Sequence, residues 1–357
     1  MTNANRNFFI DIIKGIAIFL MLWGHCIQYC SVGSSLDFFE NYVFKFIYSF
    51  HMPLFMLVSG YLFFFSFAKR NLTELIVHRT QSLLQPIILC SFFNYLITKL
   101  PNNIMSGNYT AIFNGGWLDD LYSLWFLWSV LAASLATTVI CKKAKNLLLQ
   151  IVLFIITIPI IALFPNMVAN IFMYPYFILG FYFAKYKDKI PVALYRIKYV
   201  CLLLFPLLFF FFDKKHYIYT TGLFPNANYS LSQMLIIDAY RWLTGLVGSI
   251  FTITILNIIY QQITVRFKKP LLSIWISKIG QKSLQIYVLS VPLLSRFLVF
   301  LFPKAFALLK LNNVFTENSL IYNFVFTLLL AILYSFALFF VVKLLEKIKI
   351  AKVLFGK

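Results

Sequence analysis

The chain is a succession of long apolar runs separated by short polar stretches in which lysine and arginine predominate. Ten runs stand out, approximately at 8–30, 43–68, 83–100, 118–140, 147–164, 168–184, 199–212, 239–260, 283–303 and 320–342. A helix rising 1.5 Å per residue needs about 20 apolar residues to cross a hydrocarbon core about 30 Å thick. Most of the runs approach that length, and the pattern predicts an all-α polytopic membrane protein of about ten transmembrane helices. The seventh run is short and suits a tilted or re-entrant element.

Composition sharpens this picture. Hydrophobic residues make up 61% and charged residues 12% of the 357 residues, whereas a soluble globular chain is about one-quarter charged. Spans and short loops take up nearly the whole length, which predicts one integral-membrane domain over 1–357 without a fused soluble domain. The net charge of +20 lies in clusters between runs, the pattern of loops facing an anionic leaflet, and predicts a lipid-bilayer partner instead of nucleic acid.

Those clusters also set the orientation. With the N-terminus inside, the inner segments carry Arg6; Lys69, Arg70 and Arg79; Lys142, Lys143 and Lys145; and Lys185, Lys187, Lys189, Arg196 and Lys198. Further along they carry Arg266, Lys268, Lys269, Lys278 and Lys282, then Lys343, Lys347, Lys349, Lys352 and Lys357. The outer loops keep Lys99, Lys214, Lys215, Lys304 and Lys310. Both termini are therefore expected in the cytoplasm. Segments 69–82 and 343–357 read as interfacial amphipathic helices. The longest outer loop, 213–238, is rich in Tyr, Asn, Ser and Thr and suits a polar ligand.

The first run carries the densest chemistry. Asp11, Lys14 and His25 are its ionisable groups. On a helix, Lys14 and His25 fall about 20° apart and Asp11 about 40° from His25. The rise from Lys14 to His25 is about 16 Å. Ionisable groups in a bilayer usually face an interior path. Asp11 and Lys14 equally suit headgroup snorkelling as a three-residue pair, but His25 lies too far along the helix to share that explanation.

His51 opens a second candidate stretch, with Pro53 below it, and falls at a depth similar to His25. Ser59 and Gly60 suit close helix packing. Arg79 can be a phosphate fork or a positive-inside anchor. Trp117, Tyr122, Trp125 and Trp128 can form an interfacial belt or a stacking platform for a sugar. The five cysteines show no CxxC spacing and read as packing residues, with no metal site implied.

Taken together these residues resemble the integral-membrane acyltransferase type 3 family, which includes bacterial enzymes that O-acetylate polysaccharides. Its first-span motif corresponds to Asp11, Lys14, Gly15 and His25, and its second to His51, Pro53, Phe55, Ser59 and Gly60. Arg79, the Trp125-Phe126-Leu127 triplet, and Gly280, Ser283, Leu284, Ile286 and Tyr287 match later motifs. Two positions depart: Lys14 stands where many members have Arg, and Ser290 where relatives often have His.

The resemblance implies an O-acyltransferase of the bacterial cytoplasmic membrane, moving an acetyl group from acetyl-CoA to a carbohydrate hydroxyl. Acetyl-CoA would be a co-substrate, with no permanently bound cofactor. The implied roles are general base for His25, assistance from His51 and Asp11, donor phosphate binding for Lys14 and Arg79, and acceptor binding for Trp125, Tyr122 and Trp117. The competing reading is a proton-coupled transporter or flippase, with Asp11, Lys14, His25 and His51 as a relay. Acceptor sugar, acyl length and oligomeric state stay open.

Overall fold

The computed structural model describes residues 7–29, 38–107, 118–161, 163, 167–267, 270–296 and 321–355. Among them the structure is helical, with one isolated bridge between Asn226 and Tyr229. The principal helices are α1 (Phe8–Tyr29), α2 (Tyr42–Phe67), α3 (Leu72–Arg79), α4 (Gln85–Met105), α5 (Leu118–Ser123), α6 (Trp125–Lys143) and α7 (Leu147–Ile156). They continue with α8 (Met167–Tyr186), α9 (Ile197–Phe210), α10 (Leu231–Phe267), α11 (Leu271–Gln281), α12 (Ser283–Arg296) and α13 (Thr327–Lys347).

Six helical stretches among the described residues are long and apolar enough to cross a membrane: Phe8–Tyr29, Tyr42–Phe67, Leu72–Met105, Trp125–Lys143, Leu231–Thr264 and Phe324–Lys347. Leu147–Ile156 and Ile197–Phe210 are apolar but shorter. The chain is a multi-pass membrane protein.

Several expectations change. The segment 69–82 is not a separate interfacial helix. Asn71 caps α3 through a reciprocal bond with Glu74, and α3 runs through a π turn at Thr80–Leu84 straight into α4. The run at 118–140 breaks at Leu124 between α5 and α6. The interval at 261–282, read as a loop because of its lysines, holds all of α11. The loop expected at 213–238 is shorter, since α10 begins at Leu231. The tail divides at Lys349, whose φ of 61° ends α13 before a short helix at Ile350–Phe355.

The described residues fall into two compact units. The first holds residues 1–55, 189–287 and 294–341. Its closest contact joins α1 to α11, where a methyl added at Gly280 would overlap the Asp11 carbonyl oxygen and one at Gly15 the Ile276 carbonyl oxygen. Both obstacles are backbone, which no rotamer change relieves. Gly280→Ala should therefore separate the helices, at about 1–3 kcal/mol for overpacking. A lowered unfolding temperature in detergent is the expected result, and unchanged melting would contradict this contact. In the same unit Trp23 donates to Thr327 Oγ1 at 3.0 Å, and Phe205 on α9 packs against Phe46, Phe50 and Phe251.

The second unit holds residues 56–188, 288–293 and 342–357. Here Gly60 of α2 lies against the Phe177 carbonyl and Gly180 of α8 against the Leu57 carbonyl, so two glycines let the backbones meet reciprocally. That is the packing role expected of Gly60. A polar seam crosses α7 and α8: Tyr182 donates to Gln150 Oε1 at 2.5 Å, and Thr157 and Tyr174 share a hydrogen bond at 2.9 Å.

Candidate functional site

The two helices that carry the membrane histidines meet in the first unit through a contact that the sequence does not announce. Gly24 of α1 faces the Tyr48 ring of α2, whose Cε2 stands 2.5 Å from where a Cβ would be. His25 follows Gly24, and the His51 ring lies 4.6 Å from the Tyr48 ring, centroid to centroid. Tyr48 in turn stacks on Phe44 at 3.8 Å and 20°. A glycine thus admits an aromatic ring between the helices, with His51 beside that ring and His25 next in sequence to the glycine.

The two imidazoles differ in environment. His51 is buried, and its Nδ1 lies 2.8 Å from the Ile47 carbonyl oxygen. A carbonyl only accepts, so Nδ1 carries the proton and Nε2 keeps the lone pair. His25 is half-buried; its Nδ1 is 3.2 Å from Gln28 Oε1, and its ring stacks on Tyr29 at 5.8 Å and 20°. With the amide oxygen assigned toward the ring, His25 takes the same tautomer. Pro53 lies inside α2, two residues beyond His51, and has no N–H for the Ser49 carbonyl.

Deeper along α1, Asp11 is buried and Lys14 half-buried, with Nζ 4.0 Å from Asp11 Oδ1. The three-residue pair forms, but the burial of Asp11 is unlike a side chain snorkelling to headgroups. Gly280 rests on the Asp11 carbonyl, so α11 covers this part of the stripe.

Arg79 belongs to the second unit. It ends α3 immediately before the π turn, and its guanidinium lies 4.5 Å from the Phe63 ring centroid. Its buried Nε has no hydrogen-bond partner. Nearby in this unit, Lys142 donates to the carbonyls of Phe67 and Arg70 at 3.0 and 2.7 Å, closing the end of α2. Trp125 is half-buried against Phe126, and Tyr122 is 52% exposed. Trp117 lies outside the described residues.

Two polar clusters escaped the sequence reading. In the second unit the buried Asp120 accepts from Asn94 Nδ2 at 3.1 Å and pairs with Lys99 at 3.3 Å, while its carbonyl accepts from Ser91. In the first, the buried Arg241 donates to the Gly222 carbonyl at 2.6 Å and Thr221 Oγ1 at 2.5 Å, and pairs with Asp238 at 3.3 Å. Beside it His216 packs on Tyr240 at 4.3 Å and accepts from the Asp213 N–H at 3.0 Å.

Burial lowers the His216 pKa to about 4, against the pull of Asp213 and with the repulsion of Lys215, Arg241 and Lys45. The folded loop then binds fewer protons than the unfolded chain between pH 6.5 and about 4, and its stability should fall as pH drops through that window. His216→Gln should flatten the slope, read by protease protection of the loop against pH. An unchanged slope would remove His216 from that role.

The family described as "Acyltransferase domain" (acyltransferase type 3) matches residues 7–342. The chain belongs to this membrane acyltransferase family. It is 36% identical over 191 residues to Nodulation protein NolL of Sinorhizobium fredii (strain NBRC 101917 / NGR234), covering 51% of this chain and 50% of that protein. It is 28% identical over 208 residues to Nodulation protein NolL of Mesorhizobium japonicum (strain LMG 29417 / CECT 9101 / MAFF 303099), covering 56% and 54%. The chain thus spans about half the length of the curated relatives it matches. No solved structure matches.

Membership in the acyltransferase family gives the scattered motif positions a common sense. Gly15 of the first motif and Gly280 of the last are the two sides of one α1–α11 contact. Gly60 serves the α2–α8 contact. Tyr287 is buried, and Ser290, at the position where relatives often carry His, is fully buried on α12. Much of the family pattern therefore specifies helix approach, leaving His25, His51, Asp11, Lys14 and Arg79 as its ionisable members.

Proposed function

We propose that this acyltransferase moves an acetyl group from cytoplasmic acetyl-CoA to a hydroxyl of a cell-surface or lipid-linked carbohydrate. The observation that carries the reading is the pair of imidazoles at the Gly24–Tyr48 junction, each with Nδ1 occupied and Nε2 available as a base. His25 Nε2 takes the proton of the acceptor hydroxyl as its oxygen bonds to the thioester carbonyl carbon. The C–S bond then breaks, the ester leaves, and the coenzyme A thiolate recovers the proton from the imidazolium. His51 orients the hydroxyl or the imidazole, and the buried Asp11 holds Lys14. Imidazole suits the role because its ordinary pKa lies nearest neutrality.

Lys14 is the cation assigned to the donor phosphates, and Arg79 is a second one tested on its own. Trp125 and Tyr122, rings of the second unit, are tested on their own for a part in acceptor binding. In this reading the chain crosses a bacterial cytoplasmic membrane ten times with both termini inside, as the placement of its lysines and arginines favours. The donor then enters from the side where it is made, and no free acyl donor has to be exported.

The test uses purified protein in nanodiscs with labelled acetyl-CoA. Thioester cleavage or acetyl transfer that is lost in His25→Ala is the expected result. Flux of a glycan-related solute without any acyl chemistry would instead favour a transporter using the Asp11–Lys14 pair and the histidines as a relay.

A further inference from the structure

The outer-loop segment that follows α9 is built to hold one tyrosine outward. Asp213 caps a short turn, Thr220 and Thr221 bond the Lys214 and Lys215 carbonyls, and Arg241 grips Gly222 and Thr221 from α10. Within this clamped segment Tyr217 points inward. Its ring packs on Phe39, Phe44 and Phe212, and its hydroxyl donates to the Phe39 carbonyl at 3.2 Å. Tyr219, two residues on, is 56% exposed.

That exposed ring is not isolated. Its neighbour Tyr217 packs on Phe44 at 5.8 Å, and Phe44 stacks on Tyr48 at 3.8 Å, so the segment that carries Tyr219 lies against the Tyr48 side of α2. Tyr29 stacks on His25 and is 39% exposed, and Tyr48 abuts His51. Tyr29 thus adjoins one imidazole and Tyr48 the other, and the clamped segment with Tyr219 belongs to the same compact unit. An interfacial belt would spread its rings around the lipid-facing perimeter instead of gathering them at the titratable groups.

We propose that Tyr29, Tyr48 and Tyr219 form a binding site for a polyhydroxylated ring, the acceptor carbohydrate, at the outer ends of α1 and α2. The exposed rings of Tyr29 and Tyr219 take the sugar's C–H surface, while phenol tips, that of the packed Tyr48 included, donate to and accept from its hydroxyls. Tyr48 also fills the α1–α2 junction, where Gly24 leaves room for its ring. The inference rests on the acyl-transfer reading for the identity of the ligand, though the site itself does not need His25 to be the base.

The experiment measures binding apart from chemistry. Full-length protein in nanodiscs is titrated with methyl glycosides of glucose, galactose, mannose and N-acetylglucosamine, followed by saturation-transfer NMR. Wild type should bind at least one of them, and Tyr29→Ala and Tyr219→Ala should each weaken that binding about tenfold, the 1.4 kcal/mol of one decade. Tyr219→Phe, which keeps the ring, should lose less than Tyr219→Ala, and an unchanged melting curve identifies the folded variants. Absence of binding to wild type, or equal binding by folded tyrosine variants, overturns the site. Acetyl transfer by His25→Ala is scored separately: retained transfer sinks the general-base assignment and leaves the tyrosine site standing.

Discussion

His25→Ala is expected to lower acetyl transfer by about 10²–10⁴-fold, the usual consequence of removing a general base. The variant should still fold. His25 is half-buried on the surface of α1, its ring meets Gln28 and Tyr29 of its own helix, and alanine is the best helix former. His25→Gln is the sharper control, because it keeps bulk and polarity but cannot take up a proton at neutral pH. Single-turnover transfer in nanodiscs, with membrane level measured in parallel, decides the matter. A His25→Ala protein at the wild-type rate would end the assignment. His51→Ala should also lose activity, but that side chain is buried, and its removal leaves a cavity. Its effect is interpretable only alongside a melting curve.

Lys14→Ala should weaken acetyl-CoA binding by about one to two decades, since a hydrogen bond to a charged group contributes about 1.5–3 kcal/mol. Lys14→Arg should retain most of the affinity, as it keeps the charge and restores the residue that many family members carry. Arg79→Ala should act in the same direction, and Arg79→Lys should recover less, because a point charge replaces a planar fork stacked on Phe63. Calorimetric titration with acetyl-CoA reads all four variants. Donor affinity equal to wild type in either alanine variant would remove that cation from donor binding.

What the sequence disclosed follows the range of the physics involved. Apolar runs and basic clusters depend on local composition, and α1, α2 and α8 lie within a few residues of their expected bounds. The stripe of Asp11, Lys14 and His25 needs only helical periodicity. Gly60 was legible as a packing residue because small residues in spans usually serve that purpose. By contrast, the Gly24–Tyr48 contact, the Asp120 cluster and the Arg241 clamp join residues 19 or more positions apart. No periodicity within a window links such partners. Helix α11 was hidden for another reason. Lys278 and Lys282 at its end, with Arg266, Lys268 and Lys269 before it, made the interval read as one charged loop.

The π turn at Thr80–Leu84 has a consequence for how this chain tolerates insertions and deletions. Its wider hydrogen-bonded ring takes in one residue more than an α turn, and each residue carries the helix about 100° around its axis. Removing a single residue from the turn would restore regular winding and swing α3 by that angle relative to α4. Arg79 would then leave the Phe63 ring for another side of the helix, although every residue of α3 and α4 stayed the same. In this stretch of the chain, residue count is as much a determinant of where the guanidinium points as residue identity.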